Sequence, residues 1–155
     1  MSDAPPLWPW QERTINEVVN AIDGSAHALC IASPTGTGKL RMIVEVAARC
    51  DQADLPVVLL VNRRLLTRQS TDCFERFGLD HSVLASGYER LGWKNVMIAS
   101  VQSLESWINR GTLPQLPSAK VVIGDECHNK ALDWCMSEYR KMGATQEMVD
   151  MAIDR

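Results

Sequence analysis

The chain has 155 residues, of which 46% are hydrophobic and 23% are charged, and its net charge is −3. This length suits one domain with its own core, and the acidic balance excludes a protein that coats nucleic acid through a general positive charge. Apolar runs such as Val57–Val61 are too short to cross a bilayer, and the N-terminus lacks a secretory signal, so we expect a cytoplasmic protein without a membrane partner.

The five cysteines form an odd set without a C-x-x-C pair, which argues against a disulfide framework and against a zinc finger. Cys127, His128 and Cys135 lie close together in sequence, but their spacing fits no metal template. We therefore interpret the cysteines as buried or incidental thiols.

Strand-like and helical patterns alternate along the chain, which is typical of an α/β fold with a parallel sheet. Strands are predicted at 28–32, 57–61, 81–85, 96–99 and 120–124, and helices at 39–49, 65–77 and 101–110. Ser100 is a suitable cap for the third of these helices, and Gly111 a suitable end. Two more helices, 132–142 and 145–153, are expected after the last strand.

A glycine-rich loop separates the first predicted strand from the helix that follows it. Its residues are Ser33, Pro34, Thr35, Gly36, Thr37, Gly38 and Lys39. A phosphate cradle needs glycines where the backbone curls with its N–H groups inward, a helix N-terminus aimed at the anion, and a lysine for the β and γ phosphates. A generic glycine-rich turn is the alternative, and the order of strand, loop and helix argues against it.

A pair of carboxylates, Asp125 and Glu126, follows the last predicted strand directly. At a strand end the first carboxylate can hold Mg²⁺, and the second can orient and deprotonate a water for attack on a γ-phosphate. A solvated acidic loop is the alternative interpretation.

Together these segments resemble motifs I and II of superfamily 2 helicases, of the DEAD/DEAH kind with a D-E-C-H variant at 125–128. Three weaker matches follow the same family order: Pro9-Trp10-Gln11 is similar to the adenine-reading element, 58–69 to motif Ia, and Ile98–Leu104 to a later single-strand contact motif. The resemblance covers residues 9–129.

The resemblance implies a RecA-like P-loop NTPase, a three-layer α/β sandwich with a mainly parallel sheet, that binds ATP and Mg²⁺. In that family's roles, Gln11 reads adenine, the loop from Ser33 to Leu40 binds the phosphates, and Asp125 holds Mg²⁺. Catalysis is assigned to Lys39, Asp125, Glu126 and His128, of which Glu126 activates water and His128 couples to motif III. Single-stranded nucleic acid is assigned to Arg63, Arg64, Ser100 and Gln102.

The nucleic-acid residues also have a physical rationale of their own. Arg63 and Arg64 follow the carboxyl end of a strand, where parallel sheets place ligand loops, and Ser100 with the amides after it offers donors to a phosphate. A solvated arginine pair and an ordinary helix cap are the alternatives. Trp10 is a stacking or packing residue, and packing is expected for the other tryptophans.

The chain departs from the family at Leu40, where a Ser or Thr hydroxyl normally coordinates Mg²⁺. An aliphatic side chain offers the metal no lone pair. We therefore expect nucleotide to bind while hydrolysis is severely impaired.

A second departure is that no S-A-T motif on a further strand and no second RecA-like lobe follow motif II. The sheet is thus expected to lack the motif III strand. Three explanations are open: a truncated product, completion by another chain, or a rearranged sheet. We divide the chain into a tail (1–8), the ATP-binding lobe (9–129) and a helical extension (130–155).

The expected function is the ATP-binding lobe of a helicase or translocase that contacts single-stranded nucleic acid, with DNA favoured weakly over RNA. A second RecA-like lobe or a full-length helicase chain is the other candidate partner. Unwinding by this chain alone is not expected. One alternative is a non-catalytic nucleotide-binding regulatory module or degenerate remnant. Another is a P-loop ATPase unrelated to nucleic acid.

Overall fold

The computed structural model describes residues 5–23, 28–34, 38–62, 64–88, 92–113, 117–125, 137–138 and 148–154. Its helices are α1 (Pro9–Asp23), α2 (Lys39–Gln52), α3 (Arg64–Arg76) and α4 (Val101–Asn109). Its strands are β1 (Ala28–Pro34), β2 (Val57–Val61), β3 (Ser82–Leu84), β4 (Val96–Ser100), β5 (Val121–Asp125) and β6 (Met148–Asp154). Every element predicted between residues 28 and 124 is confirmed, with ends that shift by a few residues.

The described strands form one sheet in the order β1-β6-β5-β2-β4-β3, and all of its neighbouring pairs are parallel. Parallel neighbours need crossover connections, which α2, α3 and α4 provide between successive strands. The predicted α/β class with a parallel sheet is therefore confirmed.

The central position between β1 and β5 is occupied by β6. Residues 148–154 pair with Ala28–Pro34 on one side, and residues 148–151 pair with 122–125 on the other. The expectation of a missing strand is therefore wrong, and so is the helix predicted at 145–153. The physical reason is that unpaired backbone groups on β1 and β5 would each cost about 1–3 kcal/mol when buried, and tertiary pairing overrides a local helical pattern.

Strand β2 is buried on both faces, which explains why it is a continuous apolar run. On β2, Val57, Leu59 and Val61 belong to a core cluster shared with α1, α2 and α3. Val58 and Leu60 belong to a second cluster shared with α4. This alternation with a period of two residues places helices on both faces, as in a three-layer sandwich.

Helix α1 lies in a stretch for which the patterns above predict no element. Pro9 occupies its first position, where a missing N–H costs nothing, and Ile15, Val18 and Ile22 form its buried face. On the exposed side, Arg49 Nη1 of α2 donates to Asn16 Oδ1 at 2.6 Å. Helix α1 thereby lies beside α2 and carries Gln11 with it.

The C-terminal part contains both kinds of structure within its described residues. Residues 137–138, inside the predicted helix 132–142, are helical, whereas 148–154 belong to the sheet of the main lobe. The divisions at residues 8/9 and 129/130 stay predictions. No helix in the described ranges is both long and apolar enough to span a membrane.

Candidate functional site

Apart from Gln11 on α1, the predicted site residues lie at or just after the carboxyl ends of parallel strands. β1 ends at Pro34, β2 ends before Arg64, β4 ends at Ser100, and β5 ends at Asp125. Because the strands are parallel, these ends lie on one edge of the sheet, where open α/β sheets bind their ligands. We call this edge the carboxyl edge.

Gly38 forms the N-terminal cap of α2 with φ 72° and ψ 36°, a left-handed conformation that glycine adopts without strain. Gly38 has no side chain with which to cap α2, and the first turn of the helix holds no acidic residue. The first N–H groups of the helix and the positive end of its dipole therefore face the loop, and the half-buried Lys39 begins the helix. This arrangement favours an anion.

Gln11 packs against this turn. Its side chain is buried, and its Oε1 accepts a hydrogen bond from the Trp8 N–H at 2.9 Å. A Cβ placed on Gly38 would stand 2.6 Å from Gln11 Nε2. The left-handed φ therefore favours glycine, and a larger residue here would also have to displace the end of the Gln11 side chain.

The two tryptophans beside Gln11 differ in exposure. Trp10 is half-buried and packs against the core cluster of α1, α2 and α3, whereas Trp8 is 55% exposed. Their ring centroids are 6.0 Å apart at an interplanar angle of 46°. Of the two indole rings, that of Trp8 is therefore the one accessible to a ligand.

Leu40 is half-buried and packs against the same core cluster as Trp10. The position that would carry a metal-binding hydroxyl thus serves hydrophobic packing. The next residue, Arg41, pairs with Glu45, and its guanidinium carbon lies 4.2 Å from the centre of the Phe77 ring on the loop after α3. Its charge is therefore engaged between α2 and α3.

Cys73 lies near this arginine on α3 and is half-buried. Burial raises the pKa of its thiol, and the charges of Arg41 and Arg76 oppose that rise without cancelling it. The thiol is therefore held in its neutral form and acts as a small packing group.

Asp125 ends β5 on the carboxyl edge, one strand away from β1. Both Asp125 and Ile31 pair with Met151 of β6, so their backbones are separated by two strand spacings, about 10 Å. β1 continues to Pro34, which pairs with Asp154. The segment that enters the glycine-rich loop and the end of β5 thus lie on the same edge with β6 between them.

A cavity of about 260 Å³ lies at the ends of β2, β3 and β4. It brings together three of the residues predicted to contact nucleic acid, Arg64, Ser100 and Gln102. We call it the hydroxyl-rich cavity, because its other lining residues include Thr67, Ser86, Tyr88, Ser103 and Ser106.

Hydrogen bonds among the serines hold this cavity together. Ser100 caps α4 by accepting from the Ser103 N–H at 3.5 Å, as predicted. Ser103 Oγ accepts from the Ser86 N–H at 3.1 Å and lies 3.2 Å from Ser86 Oγ. The turn after β3 is thereby tied to the first turn of α4.

Six predicted site residues lie outside the described residues: Thr35, Gly36, Thr37, Arg63, Glu126 and His128. The backbones of Ser33 and Pro34 lie in the last residues of β1. The sequence motifs did not reveal the roles of Ser86, Ser103 and Tyr88. The available signal was weak: Ser86-Gly87 follows a predicted strand, as the recognised loops do.

A family model described as "Type III restriction enzyme, res subunit" (ResIII) matches residues 5–151. Comparison with curated proteins finds no match. Among solved structures, the Hef helicase domain of Pyrococcus furiosus is 19% identical with a TM-score of 0.68, and the match covers 96% of this chain and 32% of that one.

Two further structures share the fold. The SWI2/SNF2 ATPase core of Sulfolobus solfataricus, solved in complex with dsDNA, has a TM-score of 0.71 at 12% identity, with 96% of this chain and 32% of that one covered. The UvsW helicase of bacteriophage T4 has a TM-score of 0.68 at 13% identity, with 96% and 52% covered. This chain thus spans a third to a half of these three chains. The family match and the shared fold confirm the resemblance: the chain belongs to the ResIII family and has the RecA-like N-terminal fold of a superfamily 2 helicase-like ATPase.

Proposed function

We propose that this chain is the ATP-binding lobe of a helicase or translocase, with nucleotide at the start of α2 and single-stranded nucleic acid at the hydroxyl-rich cavity. The observation that carries the proposal is the contact between Gln11 and Gly38. It places a buried side-chain amide, a group that hydrogen-bonds through both its N–H and its C=O, beside the N-terminus of α2. An adenine edge and a phosphate chain need these two features side by side.

The roles follow from the order of residues around that contact. Gln11 reads the adenine edge, while Gly36, Gly38 and Lys39 bind the phosphates together with the backbone N–H groups of the loop. Ser33, Pro34, Thr35 and Thr37 shape the loop. Glu126 activates the attacking water, and His128 couples this end of the site to the residues that follow.

Trp8 covers the base in this proposal. It is the exposed ring of the pair, and its backbone N–H is bonded to the Gln11 side chain, so the backbone that carries the indole is held beside the amide. An indole face stacks on a purine regardless of the phosphates attached. Binding of ATP should therefore change the fluorescence of wild-type protein more than that of Trp8→Phe.

The donor set for Mg²⁺ is reduced but suitable. Asp125 at the end of β5 is the carboxylate that would hold the ion, while Leu40 supplies packing rather than a ligand. Bound Mg²⁺ would neutralise charge on the phosphates. With one protein ligand fewer, ATP should bind well and be hydrolysed slowly.

Single-stranded nucleic acid is proposed at the other end of the carboxyl edge. Arg64 supplies charge, and Ser100, Ser103 and Gln102 supply neutral donors around a cavity of about 260 Å³. Arg63 would add a second charge. Such phosphate contacts are insensitive to sequence, with a dissociation constant of about 10⁻⁴ to 10⁻⁶ M that weakens with salt. We favour DNA over RNA weakly.

Calorimetry with ATP and Mg²⁺ tests the nucleotide site. We expect Lys39→Ala and Gln11→Ala each to weaken binding at least about tenfold, because each removes a contact worth more than about 1.4 kcal/mol. Lys120→Ala is the matched control, since this exposed lysine precedes β5 and therefore lies at the amino ends of the strands, away from the carboxyl edge. Absence of heat with the wild-type protein, or equal binding by all variants, would contradict the proposal.

A second candidate function is a non-catalytic nucleotide-binding module, and the packing of Leu40 in the core favours it. Steady-state ATPase assays of the wild type and Leu40→Thr separate the two. Turnover that appears only in Leu40→Thr identifies a binding module that has lost hydrolysis. Equal turnover in both, stimulated by single-stranded DNA, identifies an active ATPase lobe.

A further inference from the structure

A second cavity, of about 570 Å³, lies along β3, which is the outermost strand on the side of the sheet opposite β1. We call it the edge cavity and define it by Thr71 and Glu75 of α3, Ser82 and Val83 of β3, Tyr88 and Lys94. Tyr88 lines both this cavity and the hydroxyl-rich cavity, so one aromatic side chain is the shared wall between them. The volume of the edge cavity lies in the range of about 300–1,000 Å³ that is typical of small-ligand sites.

The two cavities differ in charge. The residues that line the hydroxyl-rich cavity include Arg64 and no carboxylate, which suits a phosphate. The edge cavity contains two carboxylates, Glu75 and Asp80, beside the apolar side chains of Leu79 and Val83. Carboxylates repel a phosphate but accept hydrogen bonds from amino groups, and apolar walls suit a flat ring.

The rim of the edge cavity is fixed on one side. Lys94 Nζ donates to Asp80 Oδ1 at 2.6 Å, and the Lys94 N–H donates to Ser82 Oγ at 3.3 Å. Asp80 is therefore engaged by Lys94. The exposed Glu75 remains as an acceptor, and Thr71 Oγ1, a buried hydroxyl oxygen close by, has no hydrogen-bond partner among the described residues.

We propose that the edge cavity receives one base of a DNA single strand whose neighbouring phosphate lies in the hydroxyl-rich cavity. The base stacks on Tyr88 and donates an exocyclic amino hydrogen to Glu75. This inference rests on the nucleic-acid part of the proposed function and adds a base site to it. Cytosine and adenine carry such an amino group and thymine does not, so the site should distinguish oligocytidine from oligothymidine.

Fluorescence anisotropy with short DNA strands tests this base site. The probes are oligocytidine, oligothymidine and a strand of the same length with abasic residues. We expect Tyr88→Ala to weaken oligocytidine binding about 5- to 150-fold, the usual loss for one base–aromatic stack. Binding of the abasic strand should not change. Glu75→Ala should remove the preference for oligocytidine over oligothymidine.

Two variants control for general effects. Tyr88→Phe keeps the ring and should bind oligocytidine nearly as well as the wild type. Trp93→Ala removes an exposed aromatic residue, 52% accessible, that precedes β4 and lines neither cavity, so it should leave binding unchanged.

The outcomes separate this inference from the proposed function. Strand binding that depends on Arg64 but not on Tyr88 overturns the base site and leaves the phosphate contacts standing. Equal losses for abasic and base-containing strands in Tyr88→Ala also overturn it. A wild-type chain that binds no strand at all overturns both.

Discussion

The two ends of the carboxyl edge differ in whether backbone groups or side chains form the site. Near α2 the site depends on backbone: a left-handed glycine, the first N–H groups of the helix and one buried amide, Gln11, that fits the space beside Gly38. Near β3 and β4 it depends on side-chain hydroxyls, which meet around a cavity. The first end depends on a few positions, and the second distributes its contacts over many.

This difference predicts different responses to mutation. A backbone site fails when one residue forces a different dihedral angle or fills the reserved space. A hydroxyl cluster loses about one hydrogen bond, roughly 0.5–1.5 kcal/mol, with each residue removed. Substitutions near α2 should therefore be severe and specific for nucleotide, and those near α4 graded and specific for nucleic acid.

The largest effect is expected for Gly38→Ala. A left-handed alanine costs about 1–2 kcal/mol, and the new Cβ would displace the Gln11 amide, which breaks its bond to the Trp8 N–H. We expect a loss of about 2–3 kcal/mol in unfolding free energy. Denaturant unfolding and calorimetry with ATP measure the two consequences.

Gly78→Ala is the matched control, since Gly78 has nearly the same φ, +70°, but nothing within 4 Å of the added Cβ. It should show only the backbone cost, about 1–2 kcal/mol, with unchanged ATP binding. In a Gln11→Ala background, where that bond is already absent, Gly38→Ala should cost only the backbone term. Equal stability of the two single variants would show that the glutamine does not need this space.

The next effect is expected for Leu40→Thr. The substitution removes half-buried apolar surface from the core cluster of α1, α2 and α3, so the unfolding free energy should fall by about 1–2 kcal/mol. Leu65→Thr makes the same chemical change at a side chain that is 64% exposed and should cost less than about 0.5 kcal/mol. Similar losses at both positions would mean that Leu40 does not contribute to the core.

A smaller effect is expected for Ser103→Ala. The hydroxyl accepts from the Ser86 N–H and contacts Ser86 Oγ, so its removal should cost about 1 kcal/mol and loosen the turn after β3. Single-strand binding should weaken while ATP binding is retained. Ser106→Ala, in the same cavity, is the comparison. Loss of ATP binding in Ser103→Ala would contradict the separation of the two ends.

The same contrast explains what the sequence could predict. The glycine-rich loop and Asp125 belong to continuous motifs, and the five-residue apolar runs marked strands buried on both faces, so the lobe and its edge were predictable. The hydroxyl-rich cavity was only half predictable. Ser100 and Gln102 stand in a motif, but Ser86 joins them through a strand pairing that no local pattern shows.

Strand β6 shows where local reasoning fails. Its residues, Met148–Asp154, contain two aspartates and no continuous apolar run, so their pattern does not indicate a central strand. The pairing is decided by β1 and β5, whose facing backbone groups need partners. Helix α1, in contrast, was predictable: Ile15, Val18 and Ile22 have the spacing of an amphipathic helix, and Pro9 suits its first position.

The smallest effect is expected at the rim of the edge cavity, for Asp80→Asn. The hydrogen bond from Lys94 lowers the pKa of the Asp80 carboxyl below its ordinary value. A carboxyl whose pKa is lowered in the folded state stabilises the fold above its unfolded pKa, and this contribution disappears as the pH falls through the folded value. Wild type and Asp80→Asn should therefore differ slightly in unfolding midpoint at neutral pH and converge in acid below the folded pKa, and high salt should reduce the difference because the pair is exposed. A difference that persists in acid would assign the effect to the shape of the rim rather than to the charge.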